Sequence, residues 1–171
     1  KLMKIPVNRL LVPTLSADDK PRKPHHIAYT DWGDRGNPHV VICVHGLTRN
    51  CRDFDYLAHA LQADCRVICV DVVGRGQSDW LQEAQDYEYY PLYLSDAISL
   101  LNHLKSQYTT AMVLDWVGVS MGGLIGIVLA LQQNLPVPMN KLVISDLGPL
   151  ISAVALKRIA EYVGKIGRAH V

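Results

Sequence analysis

A single serine, Ser120, stands between a strand-like and a helix-like run of apolar residues. The strand-like run extends from Met112 to Val117, and the apolar residues 124–131 are numerous enough for a buried helix. Between them, Gly118-Val119-Ser120-Met121-Gly122 fits the pattern G-x-S-x-G. A serine on a sharp turn from strand to helix is a nucleophile elbow, in which a strained backbone exposes the hydroxyl. The pattern therefore indicates nucleophilic catalysis by Ser120.

The glycines around Ser120 are expected to be structural parts of this site. In so sharp a turn, a side chain at Gly118 or Gly122 would collide with neighbouring backbone. Gly123 extends the small-residue segment. The turn leaves the Met121 amide at a helix N-terminus, where it can face a developing oxyanion. On this motif alone, a glycine-rich turn with an incidental serine is the alternative.

Two further motifs precede the elbow in the chain. The continuous apolar run Val40–Val44, typical of a strand buried on both faces, ends in His45-Gly46-Leu47. The run Arg66–Asp71 is followed by the segment 72–79, which reads Val-Val-Gly-Arg-Gly-Gln-Ser-Asp. This segment is not a phosphate loop, because neither a third glycine nor a lysine-serine pair follows its two glycines.

With these three motifs in this order, the chain resembles an N-terminal fragment of the α/β-hydrolase family, of the serine hydrolase AB hydrolase-1 type. The resemblance covers nearly the whole chain. It implies a mostly parallel sheet with helices on both faces, truncated after the sixth strand. In that family the H-G pair after the third strand supplies the second oxyanion-hole amide, here the Leu47 N–H. His45 would then shape the loop and not act as general base.

The same resemblance places His45, Gly46 and Arg49 beside the substrate pocket. Asp71 would tether the loop that follows the fourth strand, with help from Arg75 and Ser78. Arg49 and its neighbour Arg52 could reach an anionic group of a substrate, although solvated surface charge is the commoner explanation of such residues.

The remaining members of a catalytic triad are not identifiable. A serine hydroxyl needs an oriented base, and in this family the acid and then the histidine follow the serine in the chain. Only His170 follows Ser120, and the other histidines precede it: His25, His26, His39, His45, His59 and His103. Asp146 is a candidate acid, with pocket shaping or helix capping as the alternatives. We therefore expect residues 1–171 alone to be inactive.

A serine at the elbow, in place of the aspartate of dehalogenases and epoxide hydrolases, favours acyl transfer through an acyl-enzyme. We expect the full-length parent to hydrolyse a small ester-like substrate, as esterases, lactonases and thioesterases do. A hydrolase-fold ligand-binding or receptor protein and an acyltransferase on the same fold are the alternatives. A small-molecule substrate is the expected partner, and no cofactor is expected.

Composition narrows the class of protein further. The 171 residues suit one domain, 49% of them are hydrophobic, and the net charge of +1 gives no electrostatic case for nucleic acid. No apolar run approaches the roughly 20 residues of a membrane span, and the N-terminus lacks the apolar stretch of a signal peptide. The four cysteines show no metal-ligand spacing, so no metal is expected. A reduced, cytoplasmic setting is the default, and the oligomeric state stays open.

The periodicities predict strands alternating with helices, and therefore a parallel sheet with right-handed crossovers. The segment 16–24 is predicted to be a polar hairpin loop, and Trp80 to pack in the core or a loop. Predicted strands are Lys4–Val12, His26–Gly33, Val40–Val44, Arg66–Asp71, Met112–Val117 and Lys141–Asp146; predicted helices are Asp53–Ala63, Asp96–Ser106, the run 124–131 and Ser152–Val163.

Three parts of the chain are expected. Residues 1–149 would form the N-terminal part of the hydrolase core, and residues 150–164 would begin a cap helix. The last six residues match one reading frame of a widely used sequencing adapter, so residues 165–171 are interpreted as a non-native tail. If the core is truncated, the sixth strand becomes an exposed sheet edge and the fragment is prone to self-association.

Overall fold

A computed structural model describes residues 4–147 of the chain. Its centre is a six-stranded sheet with the strand order β1-β2-β4-β3-β5-β6. The strands are β1 (Val7–Val12), β2 (His25–Trp32), β3 (His39–Val44), β4 (Arg66–Asp71), β5 (Val113–Val119) and β6 (Met139–Ser145).

Two strand directions divide this sheet. β1 and β2 form an antiparallel hairpin, and β2 runs antiparallel to β4. β4, β3, β5 and β6 are parallel to one another. The carboxyl ends of these four parallel strands therefore lie along one edge of the sheet, which is where ligands bind in open α/β sheets. The predicted mostly parallel sheet is confirmed.

Three α-helices accompany the sheet: α1 (Asp55–Leu61), α2 (Tyr90–Lys105) and α3 (Met121–Ala130). Short 3₁₀ turns at Cys51–Phe54 and Ala84–Glu88 precede α1 and α2. Among the residues described, none of the helices combines the length and the apolar character needed to cross a bilayer.

The helices cover both faces of the sheet, as predicted. Alternate residues of β3 point to opposite faces, so Val40 and Ile42 belong to one core cluster while Val41 and Cys43 belong to the other. The first cluster receives α2 and α3 through Leu101, Leu104 and Leu129. The second receives Phe54 and Ala58, beside Cys51, Cys65 and Cys69. All four cysteines are free thiols, although Cys43 and Cys69 are register partners on β3 and β4.

Several predicted boundaries were wrong. The helix predicted at Asp53–Ala63 is a 3₁₀ turn followed by α1, because the Asn50 side chain caps the Arg52 N–H and shapes the first turn. α2 begins at Tyr90, not Asp96, because Pro91 in its first turn favours helix initiation. α3 begins directly after Ser120. Trp80 is 80% exposed, so its predicted packing was wrong.

The far side of β6 has no neighbouring strand among residues 4–147. Its side chains are mostly exposed, and Val143 and Ile144 are 54% and 37% exposed. The predicted edge strand is therefore present in this part of the chain. The predicted helix Ser152–Val163, the cap segment 150–164 and the tail 165–171 lie outside the described residues.

Ion pairs lie at the end of the sheet where the parallel strands begin. Arg66, at the start of β4, donates from Nε and Nη2 to both carboxylate oxygens of Asp31, at 2.9 and 2.8 Å. Both side chains are almost fully buried, and Tyr108 accepts a further bond from Arg66 at 3.0 Å. At the start of β3 and β5, His39 Nε2 lies 2.6 Å from the Asp115 carboxylate. Side-chain ion pairs and hydrogen bonds therefore link neighbouring strands at the end of the sheet where the parallel strands begin.

Candidate active site

Ser120 occupies the turn between β5 and α3 with φ 49° and ψ −111°. An L-residue rarely adopts a positive φ, and such strain persists only where the surroundings enforce it. Here the Ser120 N–H donates to the Ser145 carbonyl at 2.9 Å, and the Ser120 carbonyl accepts from Leu124 N–H at 3.1 Å. The residue is thus held between the β5–β6 ladder and the first turn of α3, with its side chain half-buried.

The glycines of the elbow allow three segments of backbone to approach closely. A Cβ added to Gly122 would lie 2.0 Å from the Val44 carbonyl oxygen, and one at Gly118 would lie 2.4 Å from the Gly122 carbonyl. A Cβ at Gly123 would meet the Ile144 side chain at 2.8 Å. The end of β3, the end of β5 and the start of α3 can meet in this way only if these positions lack side chains.

Trp116, below the elbow in β5, adds a polar contact to this arrangement. Its indole N–H donates to the Gly122 carbonyl at 3.0 Å, and its side chain is 2% exposed. A Cβ at Gly126 would lie 2.6 Å from the indole ring. The ring therefore packs directly beneath the first turns of α3.

Two segments of backbone lie beside the serine, the start of α3 and the loop after β3. Met121 is the first residue of α3. The N–H groups in the first turn of a helix have no hydrogen-bond partner within the helix. On the other side, Gly46 approaches so closely that a Cβ there would lie 3.7 Å from the Ser120 Cβ. Leu47 follows in a turn closed by the Arg49 N–H and the Gly46 carbonyl at 3.1 Å. The structure thus brings Gly46, the residue before Leu47, close to Ser120, and Met121 follows Ser120 directly as the first residue of α3.

His45 is buried within its loop and uses both ring nitrogens. Its Nδ1 donates to the Gly46 carbonyl at 2.7 Å, and its Nε2 accepts from the Val72 N–H at 2.9 Å. Burial lowers the pKa of His45, although the Gly46 bond opposes this effect, so the ring is neutral. The side chain joins the loops after β3 and β4 and has no nitrogen left to take a proton from Ser120.

Asp71 anchors the same two loops through its carboxylate. Oδ1 accepts from the Cys51 N–H at 2.7 Å, and Oδ2 accepts from the Gln77 N–H at 2.9 Å. Gly76, with φ 52°, packs so tightly that a Cβ there would lie 2.2 Å from this carboxylate. Ser78 donates to the Asp71 carbonyl at 2.6 Å. These contacts give Asp71 the loop-tethering geometry that was predicted for it.

Arg49 is exposed and Arg52 is half-buried beside the loop after β3. Arg49 donates from two nitrogens to the Asp53 carboxylate, both at 2.8 Å. Arg52 donates from Nε to Asp55 at 2.8 Å. Both guanidinium groups therefore have an acidic partner within four residues in the chain. An exposed pair such as Arg49–Asp53 contributes little to stability.

The remaining candidate residues are not brought to Ser120 by a hydrogen bond. Asp146 follows β6 with φ 59°, and its side chain is exposed. His26 pairs with Asp79, and His103 lies beside Gln107 on α2. His39 belongs to the opposite end of the sheet. Within residues 4–147, these histidines are hydrogen-bonded to partners other than Ser120.

A buried acid near the elbow was missed by the sequence reasoning. Asp96 Oδ2, on α2, is hydrogen-bonded to His25 Nε2 at 2.8 Å, while Asp96 Oδ1 has no partner among the described residues. It borders a cavity of about 30 Å³ that is also lined by Val44, Trp116 and Ile125. Burial raises the pKa of Asp96 to about 6, although the His25 bond opposes this effect. The one signal in the sequence for the burial of Asp96 is its position on the face of α2 that packs on the sheet.

The arrangement therefore presents a serine hydroxyl on a strained turn, directly before the N-terminus of α3. Within residues 4–147, the structure groups no three His, Cys, Asp or Glu side chains in a metal-binding arrangement.

Comparisons with known proteins agree with this geometry. A family model described as serine aminopeptidase, S33, matches residues 37–166, which is more than half of the chain. A 3-hydroxybutyrate-oligomer hydrolase of Cupriavidus necator is 47% identical over 140 residues, covering 82% of this chain and 45% of that protein. A serine hydrolase-like protein of Mus musculus is 30% identical over 124 residues, covering 72% of this chain and 37% of that protein.

A solved structure shares the fold. An α/β hydrolase from Novosphingobium aromaticivorans is 32% identical, with a TM-score of 0.62, and the match covers 96% of this chain and 52% of that one. The chain spans less than half the length of the two curated relatives described above.

Proposed function

The chain belongs to the serine aminopeptidase S33 family of α/β-hydrolases, and on this premise we propose that the full-length protein is a serine-dependent hydrolase of small esters. Ser120 attacks the ester carbonyl and forms an acyl-enzyme, and the alcohol leaves. Water then attacks the acyl-enzyme and releases the acid.

The observation that carries this proposal is the backbone of Ser120. A non-glycine residue at φ 49° costs on the order of 1–3 kcal/mol. The strained conformation exposes the Ser120 hydroxyl at the carboxyl edge of the sheet, above the start of α3. The tight glycine contacts around the residue support the same reading, because they enforce the turn.

The developing oxyanion would be stabilised by the amides of Met121 and Leu47. The Met121 amide lies at the N-terminus of α3, where the helix dipole favours negative charge. Loss of one oxyanion-hole donor typically lowers kcat by about 10²–10³-fold, so both amides are expected to matter.

The general base is proposed to come from residues after 147. His45 cannot serve, because its Nδ1 and Nε2 are both bonded to backbone groups. In α/β-hydrolases the acid and the histidine follow the nucleophile in the chain, which agrees with this proposal. Asp146 stays a candidate for the acid.

Within the ester class, we propose oligoesters of short 3-hydroxy acids as the substrates. The support is the 47% identity to the relative whose name specifies 3-hydroxybutyrate oligomers, over a segment that contains the elbow and both oxyanion loops. A linear oligoester presents a carbonyl to Ser120, a free hydroxyl at one end and a carboxylate at the other.

The test uses the full-length protein with p-nitrophenyl butyrate and with linear 3-hydroxybutyrate dimers and trimers. Ser120→Ala should lower kcat/KM by about 10⁴-fold or more on every substrate that is turned over. Ser106→Ala is the matched control, since this serine lies at the exposed end of α2 and donates to the His103 carbonyl. Hydrolysis that survives Ser120→Ala would refute the assignment, and hydrolysis of p-nitrophenyl butyrate without hydrolysis of the oligomers would refute the substrate class alone.

A further inference from the structure

We propose that Arg75 is a positioning residue for the oxyanion hole, acting through the backbone of Leu47; this inference rests on the function proposed above. Arg75 lies in the loop after β4, and Leu47 lies in the loop after β3. The Arg75 Nε donates to the Leu47 carbonyl at 3.0 Å. Its Nη1 donates to the Val73 carbonyl at 2.8 Å. One guanidinium group therefore joins the two loops.

The guanidinium is itself held in place by aromatic rings. Its carbon lies 5.9 Å from the ring centres of both Tyr87 and Tyr93, within the range of cation–π attraction. The Tyr93 hydroxyl donates to the Tyr87 carbonyl at 2.8 Å, and the Tyr87 hydroxyl accepts from the Leu81 N–H at 2.7 Å. A Cβ at Gly74 would lie 2.5 Å from the Tyr87 ring, so that ring packs directly on the backbone beside Arg75.

Leu47 needs such a tether because its side chain provides none. Leu47 is 60% exposed. It lies in a turn closed by one hydrogen bond, from the Arg49 N–H to the Gly46 carbonyl at 3.1 Å. Met121, in contrast, is fixed as the first residue of a helix. The proposed hole thus combines one donor held by a helix with one donor held by a loop, and Arg75 restricts the loop.

The tether matters for chemistry because a preorganised donor stabilises an oxyanion without reorganising during the reaction. A loop donor that moves by even about 1 Å loses much of this advantage. Arg75 does not touch the substrate in this scheme. Its loss should lower kcat and leave KM nearly unchanged.

The experiment compares Arg75→Met with Arg9→Met in the full-length protein. Arg9 is a matched control, because it donates to the Gln77 carbonyl and pairs with Asp79 in the same segment but does not reach Leu47. On p-nitrophenyl butyrate, Arg75→Met should lower kcat by about 10–10²-fold, a fraction of the loss expected for a whole donor. KM should change less than about threefold, and Arg9→Met should behave like wild type.

Amide hydrogen exchange provides a second measurement that does not depend on activity. Residues 46–50 should exchange at least about tenfold faster in Arg75→Met than in wild type or Arg9→Met, because the tether is lost. Should Arg75→Met fail to fold, Arg75→Gln replaces it, since its shorter, uncharged side chain cannot join the Leu47 and Val73 carbonyls as the guanidinium does. The same changes in kcat and exchange are then expected.

Each outcome decides the proposal. Unchanged kcat, or unchanged exchange of residues 46–50, overturns it, and a rise in KM at constant kcat would make Arg75 a substrate-binding group instead. If the wild-type protein shows no Ser120-dependent hydrolysis, the proposed function fails. In that case exchange shows whether Arg75 tethers the loop, and its link to an oxyanion hole falls with the function.

Discussion

The two ends of the parallel strands differ in the contacts that hold them. At the carboxyl end, Ser120, Gly74 and Gly76 all have positive φ, and backbone atoms of separate loops approach within distances that exclude a methyl group. At the amino end, side chains of opposite charge pair across neighbouring strands, as Arg66 does with Asp31. Reactive amides are available at the first end because its backbone is bent away from regular ladders.

This difference indicates where the protein tolerates change. A side-chain ion pair can be removed with a loss of stability and no change in the geometry of the opposite edge. Where backbone segments are in close contact, as around Ser120, an added side-chain atom displaces a loop that carries a functional group. Substitutions at the two ends should therefore separate loss of stability from loss of catalysis.

Gly122→Ala should have the largest effect on stability and activity. A small effect would contradict the proposed difference between the two ends of the parallel strands. The new Cβ would lie 2.0 Å from the Val44 carbonyl oxygen, so β3 or α3 must move. We expect destabilisation above about 3 kcal/mol, at or beyond the usual range for overpacking, with loss of activity. Soluble yield and urea unfolding measure it. Gly36→Ala is the control, because its Cβ would meet only the Asp34 side chain, at 3.4 Å.

Arg66→Met should rank second and act on stability alone. It leaves the nearly buried Asp31 carboxylate with the exposed Arg35 as its remaining ionic partner in the described part of the chain. We expect a loss of about 3 kcal/mol, since breaking a buried pair strands a charge. Chemical denaturation measures the loss, and kcat/KM under native conditions should be unchanged. Arg35→Met should cost less than about 1 kcal/mol. A fall in kcat/KM for Arg66→Met would contradict the separation of the two ends.

Replacing Ser120 in two ways would sharpen the contrast at the elbow itself. Both Ser120→Ala and Ser120→Gly remove the nucleophile, but only glycine adopts φ 49° without steric cost. We expect the glycine variant to be more stable than the alanine variant by about 1 kcal/mol, after its larger unfolded-state entropy is included. Thermal unfolding of the two inactive proteins measures the difference. Equal or reversed stabilities would show that the backbone there is unstrained.

The smallest effect concerns Asp115 and acid pH. Burial acts to raise the pKa of Asp115, but hydrogen bonds from His39 and Asn140 outweigh it and lower the pKa below the ordinary value. A lowered carboxyl pKa stabilises the fold above about pH 4, and this contribution disappears as the pH falls through the folded-state pKa. Asp115→Asn should therefore reduce the difference in unfolding free energy between neutral pH and about pH 3, by less than about 1 kcal/mol. An unchanged difference would count against the pairing.

The sequence predicted most accurately those elements whose signals are local. β4 was predicted with its observed bounds, Arg66–Asp71, because a buried parallel strand is a continuous apolar run between polar residues. The elbow was recognisable because two glycines and one serine are required at fixed spacing. The predicted role of the Met121 amide followed from the elbow pattern and that of Leu47 from resemblance, and both roles stay predictions.

Contacts between loops could not be predicted from spacing. Arg75 and Leu47 are 28 residues apart, and His25 and Asp96 are 71 apart, so neither pair has a periodic signature. The start of α2 was missed because Tyr90 and Pro91 resemble a loop until the helix packs on the sheet. Trp80 shows the converse case, since a large aromatic residue was expected to be covered and is exposed.

The fluorescence of Trp116 should report on the conformation of the elbow. Trp116 and Trp32 are 2% and 5% exposed, whereas Trp80 is 80% exposed, so iodide should quench one of the three emitters and leave two. Because the Trp116 N–H donates to the Gly122 carbonyl, its emission wavelength depends on a hydrogen bond within the turn that carries Ser120. Distortion of that turn should therefore shift the spectrum of the protein before any substrate is added.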